Sequence, residues 1–436
     1  ETGKPKKLFT NRRVETIDFN IDAEERDFYD QLTIYVEDQS IKAAQDDSAR
    51  GRALGFTMAM LQRRFASSLQ AVGRSLERMR DKRQKILEDP DKYRQEQIEK
   101  RLPVDFDELP EEDQSRILGD LESVVASVNP EDLREEILQL NKLVNDANHL
   151  QAREVESKLQ KLRQVMTQEG LFQDPKMKLL IFTEHKDTLD YLVEKIHSWG
   201  LQVTQLHGGM KVGDRNTPGT RIYAEREFKE DCQVLVATEA AGEGINLQFC
   251  WFMINYDIPW NPVRLEQRMG RIHRYGQEKD CLILNFVASN TREGRVFAKL
   301  FERIKAIEAD LDPDQTGKVF NVLGDVFPAN QLEKMIRAMY ARNQTEDVIK
   351  QRIVEQVDHD LLERFAVGVD GGHVLGQVEM DGDVLLAHLA AGVRHGIIND
   401  GVQVHGLGFE FVEAGLEGGD LDQVIDHRAD ALGGGF

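Results

Sequence analysis

Apolar side chains along the chain follow two rhythms, and the change of rhythm divides it. Arg13-Val14-Glu15-Thr16-Ile17-Asp18-Phe19-Asn20 reads as an extended opening. A helix is predicted next, because Asp22 suits an N-cap, Glu25 stands three residues on, and Phe28, Leu32 and Val36 share a stripe. Residues 52–168 are dominated by helical spacing, through Leu61, Phe65, Leu69, Val72 and Leu76, and again through Leu133, Ile137, Leu140 and Val144. Val155, Leu159 and Leu162 carry the pattern on, and Pro90, Pro103 and Pro110 interrupt it. Long, charged helices of this kind are expected to form a projecting hairpin or bundle, or else a plain helical support.

Residues 176–311 behave differently. Short apolar runs (Leu179–Phe182, Val203–Leu206, Val234–Ala237, Phe252–Tyr256 and Leu282–Val287) alternate with amphipathic stretches such as Leu189, Leu192, Val193 and Ile196. Runs buried on both faces and separated by helices predict a parallel sheet covered on both sides, an α/β fold. Such sheets place ligands at the carboxyl ends of their strands. Residues 292–364 return to helical spacing, with Thr291 as a candidate N-cap.

Composition narrows the options. The 436 residues carry 56 Lys+Arg against 77 Asp+Glu, a formal net charge of −21, which argues against a general coat of nucleic-acid affinity but leaves room for a local basic groove. No apolar run approaches a membrane span, and the three cysteines, Cys232, Cys250 and Cys281, make neither a disulfide scaffold nor a multi-cysteine zinc site. A reducing compartment fits. The acidity is concentrated at the end, where residues 351–436 hold four Arg, no Lys and sixteen Asp+Glu. From Ala366 onward Lys, Ser, Thr, Pro, Tyr, Cys and Trp are absent and Gly is abundant, which marks a boundary near Phe365. The histidines of this tail show no metal-ligand spacing. Either a small Gly-rich α/β appendage or a non-native reading frame would account for it.

Four polar clusters follow the strand-like runs. The first is Thr183-Glu184-His185 and the second His207-Gly208-Gly209, whose glycines allow a close backbone approach to a phosphate or simply a tight turn. The third, Thr238-Glu239-Ala240-Ala241-Gly242-Glu243-Gly244-Ile245-Asn246-Leu247, offers a hydroxyl and backbone N–H groups to a phosphate. The fourth is Glu266-Gln267-Arg268-Met269-Gly270-Arg271-Ile272-His273-Arg274. On a helix, Gln267, Gly270, Arg271 and Arg274 share a face. Two adjacent guanidiniums repel each other unless an anion lies between them, so they suit either a polyphosphate or a surface ion-pair network with Glu266 or Asp257.

In this order and spacing the clusters resemble the second RecA-like lobe of superfamily II helicases and translocases, in particular the Swi/Snf-related, RapA-like branch. Leu180–Thr183 resembles motif IV, Leu206–Met210 motif IVa, Val236–Leu247 motif V and Gln267–Gln277 motif VI. Leu61–Ser68 and Thr291–Val296 fit the same branch, so the resemblance covers roughly residues 8–345. It implies that Arg271 and Arg274 act catalytically on the ATP phosphates, with Arg274 as the arginine finger. It implies that Gly242, Glu243, Gly244, Asn246 and Gln267 adjoin the nucleotide. It further implies that Thr183, His207, Gly208 and Thr238 touch a nucleic-acid backbone, double-stranded DNA above all. Asn246 stands where many superfamily members carry Asp, and the loop Gly213–Thr220 is longer than usual.

One absence shapes the expected function. No Gly-x-x-x-x-Gly-Lys-Ser/Thr run occurs: Pro5 and Val319 follow the only two Gly-Lys pairs, and no strand-end carboxylate pair offers itself for Mg²⁺. In the family both belong to the first lobe. The expectation is therefore the C-terminal half of an ATP-driven translocase, without an initiator Met or a signal peptide, which does not hydrolyse ATP alone. ATP is its cofactor, with Mg²⁺ held by the missing first lobe; that lobe is a partner, as is RNA polymerase or another complex, and no membrane is involved. The expected setting is the cytoplasm, near the nucleoid. The layout reads as 1–50 lobe entry, 51–170 helical insertion, 171–311 RecA-like domain, 312–365 helical extension and 366–436 acidic tail. The alternative is a non-catalytic, regulatory or RNA-polymerase-binding module. A Rossmann dehydrogenase is disfavoured because no Gly-x-Gly-x-x-Gly follows the first strand.

Overall fold

Six strands form one wholly parallel sheet: β1 (Arg12–Phe19), β2 (Leu179–Phe182), β3 (Val203–Leu206), β4 (Val234–Ala237), β5 (Phe252–Asn255) and β6 (Cys281–Ala288), in the order β1-β6-β5-β2-β4-β3. The computed structural model describes residues 10–44, 49–89, 117, 129–153, 156–238, 245, 247–260, 262–311, 347–348 and 350–351. The proline-rich break, most of the expected C-terminal extension and the acidic tail lie outside the described residues. The extended opening is the edge strand β1, whose whole length pairs in register with β6, from Arg12 opposite Cys281 to Phe19 opposite Ala288.

The helices are α1 (Ala23–Ala44), α2 (Ala49–Ser67), α3 (Leu69–Glu88), α4 (Pro130–Ala152), α5 (Ser157–Gln168), α6 (Lys186–Ser198), α7 (Arg221–Glu230), α8 (Pro262–Met269) and α9 (Arg292–Leu311). The expected capping box opens α1: Glu25 N–H donates to Asp22 Oδ1 at 2.8 Å, and Asp22 N–H donates to Glu25 Oε2 at 3.0 Å. Thr291 caps α9 as expected, its Oγ1 accepting from Gly294 N–H at 3.1 Å.

Alternation within each strand feeds two cores. Leu179 and Ile181 of β2, Val234 and Val236 of β4, and Phe252 and Ile254 of β5 pack with Leu159, Leu162, Leu189, Leu192 and Ile196 of α5 and α6. Leu180, Phe182, Leu235, Met253 and Ile283 turn to the other face and join one continuous cluster with Phe28 and Leu32 of α1, Met58 and Phe65 of α2, Val72 and Leu76 of α3, and Leu140 and Val144 of α4. The described part of the expected helical insertion therefore packs into the core of the sheet instead of projecting from it. The buried apolar stripe of each helix drives this, since a stripe that wide needs a partner surface.

α2 and α3 carry one unbroken apolar stripe in sequence but are two helices. The break falls at Ser68, whose backbone is extended and whose hydroxyl accepts from Ala71 N–H to cap α3. The turn aims two neighbouring serines at the sheet.

Close packing at α9 leaves no room for a side chain at Gly294. A Cβ there would sit 1.8 Å from the Ala288 carbonyl oxygen. Gly294→Ala should push α9 off the end of β6 and cost about 1–3 kcal/mol in urea unfolding. Burial of Glu156, with Glu25 close by, raises its carboxyl pKa to about 7. The folded protein thus holds a proton there that the unfolded chain has released. The contribution to stability is full below the unfolded value of 4.5 and falls as pH rises to about 7. Glu156→Gln should be more stable than the parent at pH 8, on the order of 2–3 kcal/mol, with little difference near pH 4. Urea melts at both pH values check the sign.

Candidate functional site

At the carboxyl ends of β2 and β5 the sheet buries a carboxylate, Asp257, which is 6% exposed. A carboxylate accepts hydrogen bonds and cannot donate, so every neighbour must supply a proton. Oδ1 accepts from Lys158 Nζ at 2.7 Å. Oδ2 accepts from Ser67 Oγ at 2.7 Å, Thr183 Oγ1 at 2.5 Å and Glu184 N–H at 3.0 Å. Burial pushes the pKa of Asp257 up, but the Lys158 and His185 charges and the bonds from Lys158 and Thr183 outweigh it and hold the group below the ordinary aspartate value.

The donor set orders the hydroxyls behind it. Ser67 spends its one proton on Asp257, so Thr188 Oγ1, 2.6 Å away, must donate to Ser67. Ser68 Oγ, 2.7 Å from Thr188, must then donate to Thr188. A chain Ser68–Thr188–Ser67–Asp257 results, running from the α2–α3 junction to the end of β5.

A second buried carboxylate stands beside the first. Glu184, 3% exposed, pairs through Oε1 with Arg268 Nη2 at 2.6 Å and through Oε2 with Arg63. Arg268, 1% exposed, also donates to the Asp257 carbonyl at 2.7 Å and lies over the Phe182 ring. α8 is thereby fixed to the strand ends by its one fully enclosed arginine. A cavity of about 50 Å³ beside this network, lined in part by Arg63, His185, Asp257, Trp260 and Phe297, suits water and is far too small for a nucleotide.

The expected site residues distribute as follows. Thr183 is fully buried, with its hydroxyl committed to Asp257. Thr238 is buried, and its N–H donates to Leu206 O at 2.9 Å. His207 and Gly208 are half-buried at the end of β3, where Arg221 holds the turn by donating to the carbonyls of Gly208 at 2.7 Å and Met210 at 2.9 Å. Gly242, Glu243, Gly244 and Asn246 lie outside the described residues. Gln267 is exposed on α8.

The helix expected to present Gln267 through Arg274 on one face ends at Met269. Gly270 begins a series of turns, with Arg271 N–H bonded to Arg268 O and His273 N–H to Met269 O. Ile272 enters the core, and the Gln277 side-chain amide clasps the carbonyls of Cys250 and Ile272 at 3.0 Å each. These anchors bend the chain where glycine offers little helical resistance. Arg271 is half-buried beyond the bend. Arg274 is exposed; its Nε donates to Gly270 O at 2.7 Å, and it forms no ion pair among the described residues. Of the two rival partners, Glu266 and Asp257, the Asp257 carboxylate serves Lys158, Ser67 and Thr183, and its backbone carbonyl serves Arg268. Sequence reasoning missed Arg268, Lys158 and Ser67. The strand-end cluster Thr183-Glu184-His185 and the Asp257 position, directly after an apolar run, hinted at the hub.

Among the described residues no cluster of three or more His, Cys, Asp or Glu side chains could hold a metal ion, and no helix is long and apolar enough to cross a membrane.

Comparison with known proteins bears on this geometry. Residues 157–276 match the helicase conserved C-terminal domain. The chain is 30% identical over 342 residues to the uncharacterized ATP-dependent helicase YqhH of Bacillus subtilis, a match covering 78% of this chain and 47% of that protein. It is 29% identical over 198 residues to the RNA polymerase-associated protein RapA of Pectobacterium carotovorum, covering 44% and 20% of the two chains. Helicase SWR1 of Saccharomyces cerevisiae is 32% identical over 183 residues, covering 40% of this chain and 12% of that one. The chain spans about half the length of the first of these relatives and less of the others.

The two kinds of arginine should separate in stability. Arg268→Leu leaves Glu184 Oε1 and the Asp257 carbonyl without their donor in the core, with Arg63 the remaining partner of the Glu184 carboxylate, and should cost about 2–4 kcal/mol, whereas Arg274→Leu should leave the unfolding midpoint where it was. Equal losses in paired urea melts would mean that the burial pattern is misassigned.

Proposed function

Because the chain carries a C-terminal, RecA-like helicase lobe of the Swi/Snf-related, RapA-like kind, we propose that it is the second motor lobe of an ATP-dependent translocase acting on double-stranded DNA. ATP binds between this lobe and a first lobe that supplies the phosphate cradle and the Mg²⁺ ligands. Closure of the cleft carries Arg271 and Arg274 onto the γ-phosphate. Their charge and paired N–H donors then stabilise the negative charge of the transferring group. Release reopens the cleft and moves the lobes along the backbone, which the strand-end turn at His207 and Gly208 grips without reading bases; Thr183 and Thr238, expected to share that contact, are buried, with the Thr183 hydroxyl spent on Asp257 and the Thr238 N–H on Leu206.

The observation that carries this reading is the unequal treatment of three arginines within seven residues. Arg268 is enclosed and neutralised by Glu184, while Arg274 stands at the surface with only its own segment's carbonyl as partner. An exposed guanidinium is ordinary at a surface; what supports the reading is that Arg274 stands a few residues from the rigid anchor of Arg268, within the stretch that resembles motif VI. Gly242, Glu243, Gly244, Asn246 and Gln267 complete the nucleotide-facing rim in this reading. The same lobe could serve as a non-catalytic RNA-polymerase-binding module. That reading draws on the similarity to RapA, and the cytoplasm near the nucleoid suits both.

Purified alone, the chain should show no Mg²⁺-dependent ATP turnover. Joined to the first lobe it should turn ATP over, and Arg274→Ala should lower kcat by about 10³-fold or more with a smaller change in KM. Turnover by the isolated chain that disappears in Arg274→Ala would refute the division of labour. Full activity in the joined Arg274→Ala protein would remove the arginine finger.

A further inference from the structure

α3 presents a basic ribbon that the nucleotide-facing arginines do not use. Arg74, Arg78, Lys82 and Lys85 recur at intervals of four, four and three, so they share one face of the helix. At 1.5 Å per residue the ribbon runs for about 16 Å. Its N-terminal end meets Asp187, in the first turn of α6, whose carboxylate lies 3.2 Å from Arg64, 3.4 Å from Arg78 and 4.0 Å from Arg74. Three guanidiniums therefore converge on one carboxylate that can neutralise only one of them.

Exposure divides the three. Arg64 is 10% exposed and belongs to the structural pairing with Asp187, whereas Arg74 and Arg78 are 56% and 48% exposed. Arg78 also donates to Ser75 Oγ at 3.0 Å, which steadies its side chain beside the carboxylate. Of the carboxylates on α3, Asp81 is claimed by Arg80 at 2.7 Å, and Glu77 and Glu88 flank the ribbon. Exposed ion pairs contribute little stability, so holding three like charges around Asp187 is poorly explained by folding. The whole chain carries a net charge of −21, and a local positive excess runs against that background. Charge complementarity thus selects a polyanion. Guanidiniums on a rigid helix, two of them one turn apart, suit successive phosphates of a nucleic-acid strand.

We propose that this face of α3 is a docking surface for the phosphate backbone of a nucleic-acid duplex. The inference rests on the motor-lobe reading and extends it, because the contact comes from the helical layer instead of the strand-end turns. The ribbon begins one turn after the α2–α3 junction, where Ser67 and Ser68 bond Thr188 and, through Ser67, Asp257. A duplex held on α3 is thereby tied mechanically to the network that anchors α8.

The test is binding of a fluorescein-labelled DNA duplex by the full chain, followed by anisotropy across a salt series. Arg74→Gln/Arg78→Gln should weaken binding roughly 10-fold at low salt and lower the slope of log K against log salt by about 1.8. Arg74→Lys/Arg78→Lys should retain most of both, and Lys299→Gln on α9 should change neither. Lys82→Gln/Lys85→Gln provides a second, independently folded probe and should also flatten the slope. Parental affinity and slope in both glutamine pairs would overturn the proposal. If they persist while His207→Ala weakens binding, the motor-lobe reading survives and the α3 surface alone is lost. If the parent chain does not bind the duplex at low salt, both fall.

Discussion

The buried charge of Asp257 is the constraint around which the lobe is organised. A carboxylate taken out of water is tolerated only when its negative charge is matched and its lone pairs are filled. Here the donors come from three separate parts of the chain: Ser67 from α2, Lys158 from α5, Thr183 and Glu184 from the end of β2. None can move without exposing an uncompensated charge in the interior. The Lys158 ammonium is likewise filled, with bonds to the carbonyls of Ala66 at 2.6 Å and Ser67 at 3.2 Å besides Asp257. Such a cluster adds little to net stability against an apolar alternative, but it makes wrong arrangements expensive.

The helical layer shares in that constraint. α1 to α4 contribute apolar side chains to the same core as the sheet, while Arg63, Ser67 and Ser68 reach the polar cluster at the strand ends. Apolar packing sets how near the helices lie, and the directional bonds set their registration. Glu25 repeats the device at the start of α1. Beyond capping its own helix, it accepts from Ser157 N–H at 3.0 Å and so joins the first turns of α1 and α5. A displacement of the α2–α3 junction is consequently felt at Glu184 and Arg268 through a few short contacts.

Much of this was legible in the sequence because local physics decides it. The apolar runs became β2 to β6, and Asp22 with Glu25 and Thr291 with Gly294 form the caps that their spacing implies. What stayed hidden depends on contacts distant in sequence. β1 is a sheet edge only because β6, some 269 residues on, offers it hydrogen bonds. The break at Ser68 interrupts no hydrophobic periodicity, so nothing in the stripe announces it. Arg268 looks like its neighbours in a row of arginines, and its burial follows from Glu184 being fixed opposite, 84 positions earlier. The bend after Met269 is set by Ile272 entering the core and by the clasp of Gln277, neither of which a helical face count can register.

That bend gives the arginines of one short segment two different environments. An anchoring arginine must be dehydrated, paired and still, whereas an arginine meant for a mobile anion must remain unsaturated until the anion arrives. On a continuous helix Arg274 would share the face of Gln267 and Arg271; the bend takes it off that axis. Ending α8 at Met269 allows Arg268 to point inward against Glu184 while the chain turns and carries Arg274 outward. The bond from Arg274 Nε to Gly270 O then fixes the guanidinium plane through the edge that a bidentate contact does not need. Both terminal nitrogens stay available, and in the proposed reading less side-chain freedom would be lost on binding a phosphate. In the proposed reading, rigidity at Arg268 and exposure at Arg274 are one arrangement: the first guanidinium is committed to the fold while the second stays at the surface.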